Sequence, residues 1–356
     1  MVGYFDYEQL VKATEAFSHS RLIGKGSHGS VYKGVLEGNK LVAIKKSSVG
    51  VDHVSKDNSK KLENEIRVLS SLRDRSPHII KILGHSSQDS AVKTKVINKL
   101  LVMEFMPNGS LHDWLHVANT PPSWTRRVDI AIQIGRALHS LHERKPVVIH
   151  RDIKTANILL DSNWNSKLTD FGLAVMRLDS WSHQTTQPAG TMGYLDPCYT
   201  TPSKLSTKND VFSYGVILLE LISCRKVIEV SKVPASLVDW ALLLIQKQRP
   251  MDVCDPRIAL PQFMESTIRH LLYVAARCVS IKEETRPSIS DVVMGLDNCM
   301  SQLVKVPSWT SLVRSMILMR RRRKANCGAQ KCDVHNDISE GKILLREILA
   351  DGSRLK

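Results

Sequence analysis

HRDIKTANILLD, residues 150–161, sets a run of polar side chains directly before the apolar triplet Ile158-Leu159-Leu160. A triplet of that kind reads as a short buried strand, and the residues before it as the loop that feeds it. Loops held by a rigid scaffold carry chemistry more often than strands do. Asp152 can accept a hydroxyl proton, Lys154 can neutralise a phosphoryl group in transfer, and Asn157 can offer a neutral oxygen to a metal. Thirteen residues past Asn157 stands Asp170, in TDFGLA, with a carboxylate for the same ion. Hard oxygen donors of this sort suit Mg²⁺ held together with nucleotide phosphates. Taken singly, each aspartate reads equally well as a turn or cap residue; their joint spacing carries the argument.

Upstream, GKGSHGSV places Gly24, Gly26 and Gly29 between two strand-like segments. A glycine-rich turn lets backbone N–H groups approach phosphate oxygens without side-chain obstruction, although alone it is equally a flexible hairpin. Fourteen residues past Val31, Lys45 ends the apolar strand VAIK. Such a lysine either snorkels to solvent or reaches phosphates, and the second role needs a carboxylate to hold it. Glu65 in ENEIRVL is the better candidate, since Ile66 and Leu69 lie beside it on the face that should bury; Glu63 is the alternative.

The 356 residues, 42% of them hydrophobic, suffice for one large domain or two medium ones with a substantial core. From Leu22 to about Glu104 the pattern is strand-like and punctuated by glycine, with one helical stretch, LENEIRVLSSLRD. Beyond Pro107 the periods become helical, in RRVDIAIQIGRALHSLHER, DVFSYGVILLELIS, LVDWALLLIQKQ and IRHLLYVAARCVS. The expected class is therefore α+β: a small β-rich lobe with one main helix to about residue 106, then a large α-rich lobe over 107–300. Residues 4–17 predict a short amphipathic helix within a separate leading segment, 1–17. The polar stretches 47–60 and 86–99 predict exposed loops.

The net charge is +15, and residues 301–356 alone hold 12 Lys/Arg against 5 Asp/Glu, so the body is only mildly basic and no nucleic-acid partner is expected. Seven scattered cysteines fit a reducing compartment better than a disulfide framework. No uncharged run approaches the length of a membrane span, and no leading apolar signal is present.

Glycine loop, lysine, HRDxKxxN and DFG in this order resemble the signature of the eukaryotic protein kinases over residues 18–300. FDYEQLVKATEAF, GTMGYLDP, DVFSYGVILLELIS and TRPSISDVV are similar, more narrowly, to the plant receptor-like kinases of the Pelle and interleukin-receptor-associated group, in their cytoplasmic members. The resemblance implies the two-lobed kinase fold and a cover over ATP made by Ile23, Gly24, Lys25, Gly26, Ser27, His28, Gly29, Ser30 and Val31. It also implies an adenine pocket with Ala43 and Met103, and hinge backbone groups from Glu104 and Met106. Lys45 would hold the α- and β-phosphates while paired to Glu65. Asp152 would be the base, Lys154 would meet the γ-phosphate, and Asn157 and Asp170 would hold Mg²⁺, with Mn²⁺ as an alternative. Lys154 and Thr191 imply serine/threonine substrates, and receptor kinases are the implied upstream partners. Arg151 implies control by phosphorylation, with Ser180, Ser182, Thr185 and Thr186 as acceptors, and Asp210 implies a brace for the catalytic loop that can also cap its helix.

One position departs from that pattern. Cys198 stands where the family has a glutamate that pairs with the residue matching Arg286, so Arg286 is expected to have a weaker or substitute partner. The tail lies outside the resemblance. Arg320 to Lys324, led by Leu312, Val313, Met316, Ile317 and Met319 and followed by Cys327, reads as a solvated charge run, a nuclear signal or a patch for anionic membrane. Cytoplasmic localisation, with peripheral contact at the inner face of the plasma membrane, is the expectation.

Overall fold

Alternating apolar residues in the first hundred positions build one mixed sheet. In the computed structural model, residues 3–304 are described apart from 27–28, 48–52, 73–75, 89–97, 178–186 and 202–203. Strands β1 (Gly3–Tyr4), β2 (Leu22–Gly26), β3 (Gly29–Leu36), β4 (Lys40–Lys46), β5 (Ile82–Gln88) and β6 (Asn98–Glu104) hydrogen-bond in the order β1-β5-β6-β4-β3-β2. All pairs are antiparallel except β1 with β5. Too short to show a period, β1 was not legible in the sequence. It lies so close to β5 that a Cβ on Gly84 would meet the Gly3 carbonyl oxygen at 2.3 Å, so only glycine fits there.

The predicted 4–17 helix is shorter than its periodicity suggests: α1 is Tyr7–Ala13. Asp6 caps it by accepting from the Gln9 N–H, and the Thr14 hydroxyl donates back to the Leu10 carbonyl. Glu15, Ala16 and Phe17 then take positive φ and reverse the chain. The segment packs on the outer sheet face, where Leu10 and Ala13 are buried with Val42, Ile44, Leu100 and Val102.

The main small-lobe helix, α2 (His53–Leu72), begins well inside the stretch predicted as a loop. A Lys61–Asp57 pair at i,i+4 supports this part of the helix. The second predicted loop is also partly strand: Ser86 is fully buried and pairs with Leu100.

The large lobe is helical as expected, with α3 (Leu111–His116), α4 (Trp124–His142), α5 (Thr207–Ser223), α6 (Leu237–Gln246), α7 (Glu265–Cys278) and α8 (Ile289–Val304). Residues 209–223 of α5 are buried all round, so α5 forms the axis of this lobe. Ser206 is its N-cap and Asn209 closes the capping box, which leaves Asp210 without the capping role expected of it. Two short ladders sit above α4 and α5: β7 (Val147–Ile149) with β10 (Val175–Arg177), and β8 (Ile158–Leu160) with β9 (Ser166–Leu168). Among the described residues no helix is long and apolar enough to cross a membrane.

Candidate active site

The β8–β9 hairpin fixes the site because it folds the two ends of its own sequence together. Ile158 pairs with Leu168, and one step outward the Thr169 N–H donates to the Asn157 carbonyl at 2.9 Å. The loop before β8 and the turn after β9 are thereby neighbours, which brings Asp152, Asn157 and Asp170 to one place.

The loop rests on a carboxylate. Asp210 Oδ2 accepts from the His150 N–H at 2.8 Å and Oδ1 from the Arg151 N–H at 2.9 Å, with His142 Nε2 2.9 Å from Oδ2. These bonds hold Arg151 at φ 71°, a strained value for a side-chain-bearing residue. Burial tends to raise the Asp210 pKa, but the bond and charge of His142, with further help from His150 and the Arg151 N–H, outweigh it and hold the carboxyl below its usual range. Burial pushes the His150 pKa down despite the surrounding aspartates. A neutral His150 can accept from the Asp152 N–H through Nδ1 and donate to the Thr169 carbonyl through Nε2, at 3.3 and 3.1 Å.

Asp152 is 3% exposed and bonded on both oxygens. Thr191 Oγ1 donates to Oδ1 at 2.6 Å, and Lys154 Nζ to Oδ2 at 2.8 Å. Lys154 also donates to Thr191 Oγ1 at 2.9 Å, so aspartate, lysine and threonine close a ring. Asn157 Nδ2 donates to the Asp152 carbonyl and to Oδ2, at 2.8 and 3.0 Å. Its amide oxygen accepts from no protein group among the described residues, which leaves it available to a cation.

Across the cleft, Lys45 is 7% exposed. Its Nζ lies 2.6 Å from Glu65 Oε2 and 2.9 Å from Asp170 Oδ1. Burial alone would lower its pKa, but the two carboxylates more than offset that, so it stays charged. Glu65, and not Glu63, is the partner; Glu63 pairs with Lys99. Asn64, a residue that sequence reasoning passed over, fixes the turn carrying Asp170. Its Nδ2 donates to the carbonyls of Phe171, Gly172 and Ala174 at 3.2, 3.0 and 2.8 Å. Nothing in an asparagine on a polar helix face distinguishes that role from a solvated one.

The residues expected to cover ATP and adenine are spread over β2, β3, β4 and β6. Gly24, Lys25 and Gly26 of β2 pair with Val31, Ser30 and Gly29 of β3, and Ile23 is exposed. Ser27 and His28 lie outside the described residues. Gly29 has φ 148°, and a Cβ there would stand 2.2 Å from the Lys46 carbonyl oxygen, so the hairpin needs glycine. Ala43 pairs with Met103, and both are buried. The Glu104 side chain turns away to Lys167 at 2.9 Å, while the Met106 N–H finds no protein acceptor among the described residues. A buried lysine, a hinge donor and a neutral amide oxygen beside Asp170 are the donor set that ATP with a divalent cation requires.

The departure at Cys198 is compensated by a substitute partner, the second of the two expected outcomes. Arg286 meets Asp196 in a bidentate pair, Nη1 to Oδ2 at 2.5 Å and Nη2 to Oδ1 at 2.8 Å. Both side chains are fully buried. Asp196 also accepts from Asn209 Nδ2 and from the Cys198 N–H, at 2.7 and 2.9 Å. The pairing carboxylate stands two residues before Cys198, whose Sγ turns instead toward the Ile281 carbonyl. The predicted phosphoacceptors 180, 182, 185 and 186, and the basic tail, lie outside the described residues.

The sequence profile of the protein kinase domain matches residues 17–295. The chain is 46% identical over 338 residues to the serine/threonine-protein kinase-like protein At5g23170 of Arabidopsis thaliana, covering 90% of this chain and 94% of that one. It is 44% identical to a second such protein of the same plant, At3g51990, over 86% of this chain and 82% of that one. The proline-rich receptor-like protein kinase PERK8 of Arabidopsis thaliana is 37% identical over 83% of this chain, which spans 43% of that protein's length.

Proposed function

Because the chain belongs to the protein kinase family, we propose that it transfers the γ-phosphoryl group of ATP to serine and threonine hydroxyls of protein substrates. The closed ring of Asp152, Lys154 and Thr191 is the observation that carries this reading. Asp152 orients the substrate hydroxyl and accepts its proton, while Lys154 balances charge on the phosphoryl oxygens. Thr191 fixes both and sets the segment on which a peptide would lie. Lys45, held by Glu65, orients the α- and β-phosphates, and the β2–β3 hairpin excludes water above them. Mg²⁺, or Mn²⁺ in its place, would be held by Asn157 and Asp170 and would supply charge stabilisation to the leaving phosphate.

The expected control by phosphorylation belongs to the same proposal. The Arg151 guanidinium now donates to the carbonyls of Leu173 and Gln187, which flank the segment with the acceptor residues. A phosphate on that segment offers Arg151 a charged acceptor in place of two neutral ones. The PERK names attached to some relatives support receptor kinases as upstream partners, and with them a place in the cytoplasm near the inner face of the plasma membrane. Arg320 to Lys324 would add contact with anionic lipid.

A scaffold that keeps the fold without turnover is the rival reading, and the intact Lys45, Asp152, Asn157 and Asp170 speak against it. The test is labelled ATP with Mg²⁺ and a generic basic protein, followed by phosphosite mapping. Phosphoserine and phosphothreonine are expected from the parent, and Lys45→Met, Asp152→Asn and Asp170→Ala should each lose about 10²- to 10⁴-fold in rate. Parental activity in Asp152→Asn, free of other kinases, overturns the assignment.

A further inference from the structure

Beneath the segment that carries Thr191 lies a cluster with no part in phosphoryl transfer. His112 and His116, four residues apart, share one face of α3, their ring centroids 4.8 Å apart. A capping box between Ser110 and Asp113 fixes the start of that helix. His116 Nε2 lies 2.6 Å from Glu220 Oε1 on the central helix α5. One ligand atom from each of His112, His116 and Glu220 falls within 4.8 Å of the others.

The cluster is built around a buried carboxylate. Glu220 is 1% exposed, and its other contacts are hydroxyls: Thr155 Oγ1 at 3.1 Å and Tyr194 Oη at 2.6 Å. Among the described residues no lysine or arginine reaches it, whereas Asp196 meets Arg286 and Glu65 meets Lys45. A carboxylate shut away from water without a fixed cation is costly, and a bound cation is the means by which proteins relieve such a cost. His112 adds a second sign, since neither of its ring nitrogens bonds to a protein group among the described residues, and its partial exposure gives an entry path.

We propose that His112, His116 and Glu220 form a binding site for a transition-metal ion of the Zn²⁺ class, separate from the nucleotide cation. Two imidazoles and one carboxylate select zinc and its neighbours over Mg²⁺ or Ca²⁺, which take all-oxygen sets. Ligand atoms around tetrahedral zinc stand roughly 3.3 Å apart, given bonds of about 2.0–2.1 Å. The present 2.6 Å contact has to open slightly and the His112 ring to swing inward, both within the reach of side-chain rotation. Three protein ligands leave a fourth position for water. The ion would tie α3 to α5 directly under Thr155 and Tyr194, which join the catalytic loop to the peptide-positioning segment.

The test uses the full chain with Mg²⁺ in large excess. Equilibrium dialysis against Zn²⁺ measures affinity and stoichiometry, and Co²⁺ substitution reads tetrahedral nitrogen and oxygen ligation from visible d–d absorption. His112→Ala keeps every hydrogen bond to Glu220, and His116→Gln keeps a donor toward it, so both are expected to fold; circular dichroism confirms this before metal is added. The parent should bind one ion more than either variant, with d–d absorption larger than in either variant by that ion's share, or each variant should bind it at least tenfold more weakly. Ions held by other cysteines and histidines remain in all three and cancel. Equal stoichiometry and affinity in parent and variants overturns the proposal, as does a loss in His116→Gln that His112→Ala does not share.

Discussion

Asp196 shows how one carboxylate serves a pairing from a different place in the chain. Its two oxygens accept from Arg286, Asn209 and the Cys198 N–H, so almost no acceptor capacity is left over. Removing one side of a buried ion pair commonly costs roughly 3–5 kcal/mol, because the other charge stays buried and unpaired. Asp196→Ala should lower the unfolding free energy by an amount of that order, read as a fall in the urea midpoint at unchanged slope. Cys198→Glu should bring no gain and a small loss: a second carboxylate would compete for a guanidinium already satisfied and would displace the thiol from the Ile281 carbonyl. A raised midpoint in Cys198→Glu, sustained only while Arg286 is present, would show that Asp196 does not replace the missing glutamate. The signal for this pairing stood in GYLDPCY itself, since Asp196 is as legible as Cys198. Sequence reading allowed for a substitute partner but did not name it; the turn lets a shorter acid two residues earlier reach the same guanidinium.

At the scale of elements, what could be read from sequence followed from period and burial. The strand Ile158–Leu160, the helix α5 and the pairing of Lys45 with Glu65 rest on apolar patterns that leave one face no alternative to burial. The misread elements lack such a pattern. The first turns of α2 are polar and held by backbone bonds and local charge pairs, and β1 is two residues of backbone pairing. Neither writes a hydrophobic repeat, and no reading of periodicity can find them. The leading segment nevertheless closes one side of the small-lobe core. Leu10 is wholly buried against Val42, Ile44, Leu100 and Val102, so Leu10→Ala should destabilise the protein by about 2–5 kcal/mol, through lost transfer energy and the cavity left behind. Denaturant unfolding checks it. A change below about 1 kcal/mol would mean that α1 is an ornament on a lobe that stands without it. Because α1 backs β4, the strand that carries Lys45, the same substitution should also weaken ATP binding.

Across the whole molecule, one set of contacts joins the two lobes at the nucleotide site. Lys45 belongs to the small lobe and Asp170 to the large one, and their 2.9 Å contact spans the cleft, with Glu65 holding the lysine from behind. A nucleotide that enters must exchange part of this ion pair for its own phosphates and a divalent cation, so its binding should depend on the metal. Any ligand that binds only the folded state adds stability in proportion to the logarithm of its concentration, about 2.7 kcal/mol at roughly 100 times Kd. Thermal unfolding with ATP, with and without Mg²⁺, therefore reads the site without requiring turnover. The parent should gain several degrees with ATP and Mg²⁺ together and clearly less with ATP alone. Asp170→Ala should keep the smaller gain and lose the metal-dependent part, because it removes a carboxylate ligand while Lys45 remains paired to Glu65. Lys45→Met should reduce both gains, since it removes the phosphate partner and strands Glu65. If the parent gains nothing from ATP with Mg²⁺, the cleft does not hold nucleotide and the scaffold reading displaces catalysis. A metal-dependent gain that is the same in the parent and in Asp170→Ala would instead assign the cation to other ligands, and Asn157 would be the first to examine by substitution.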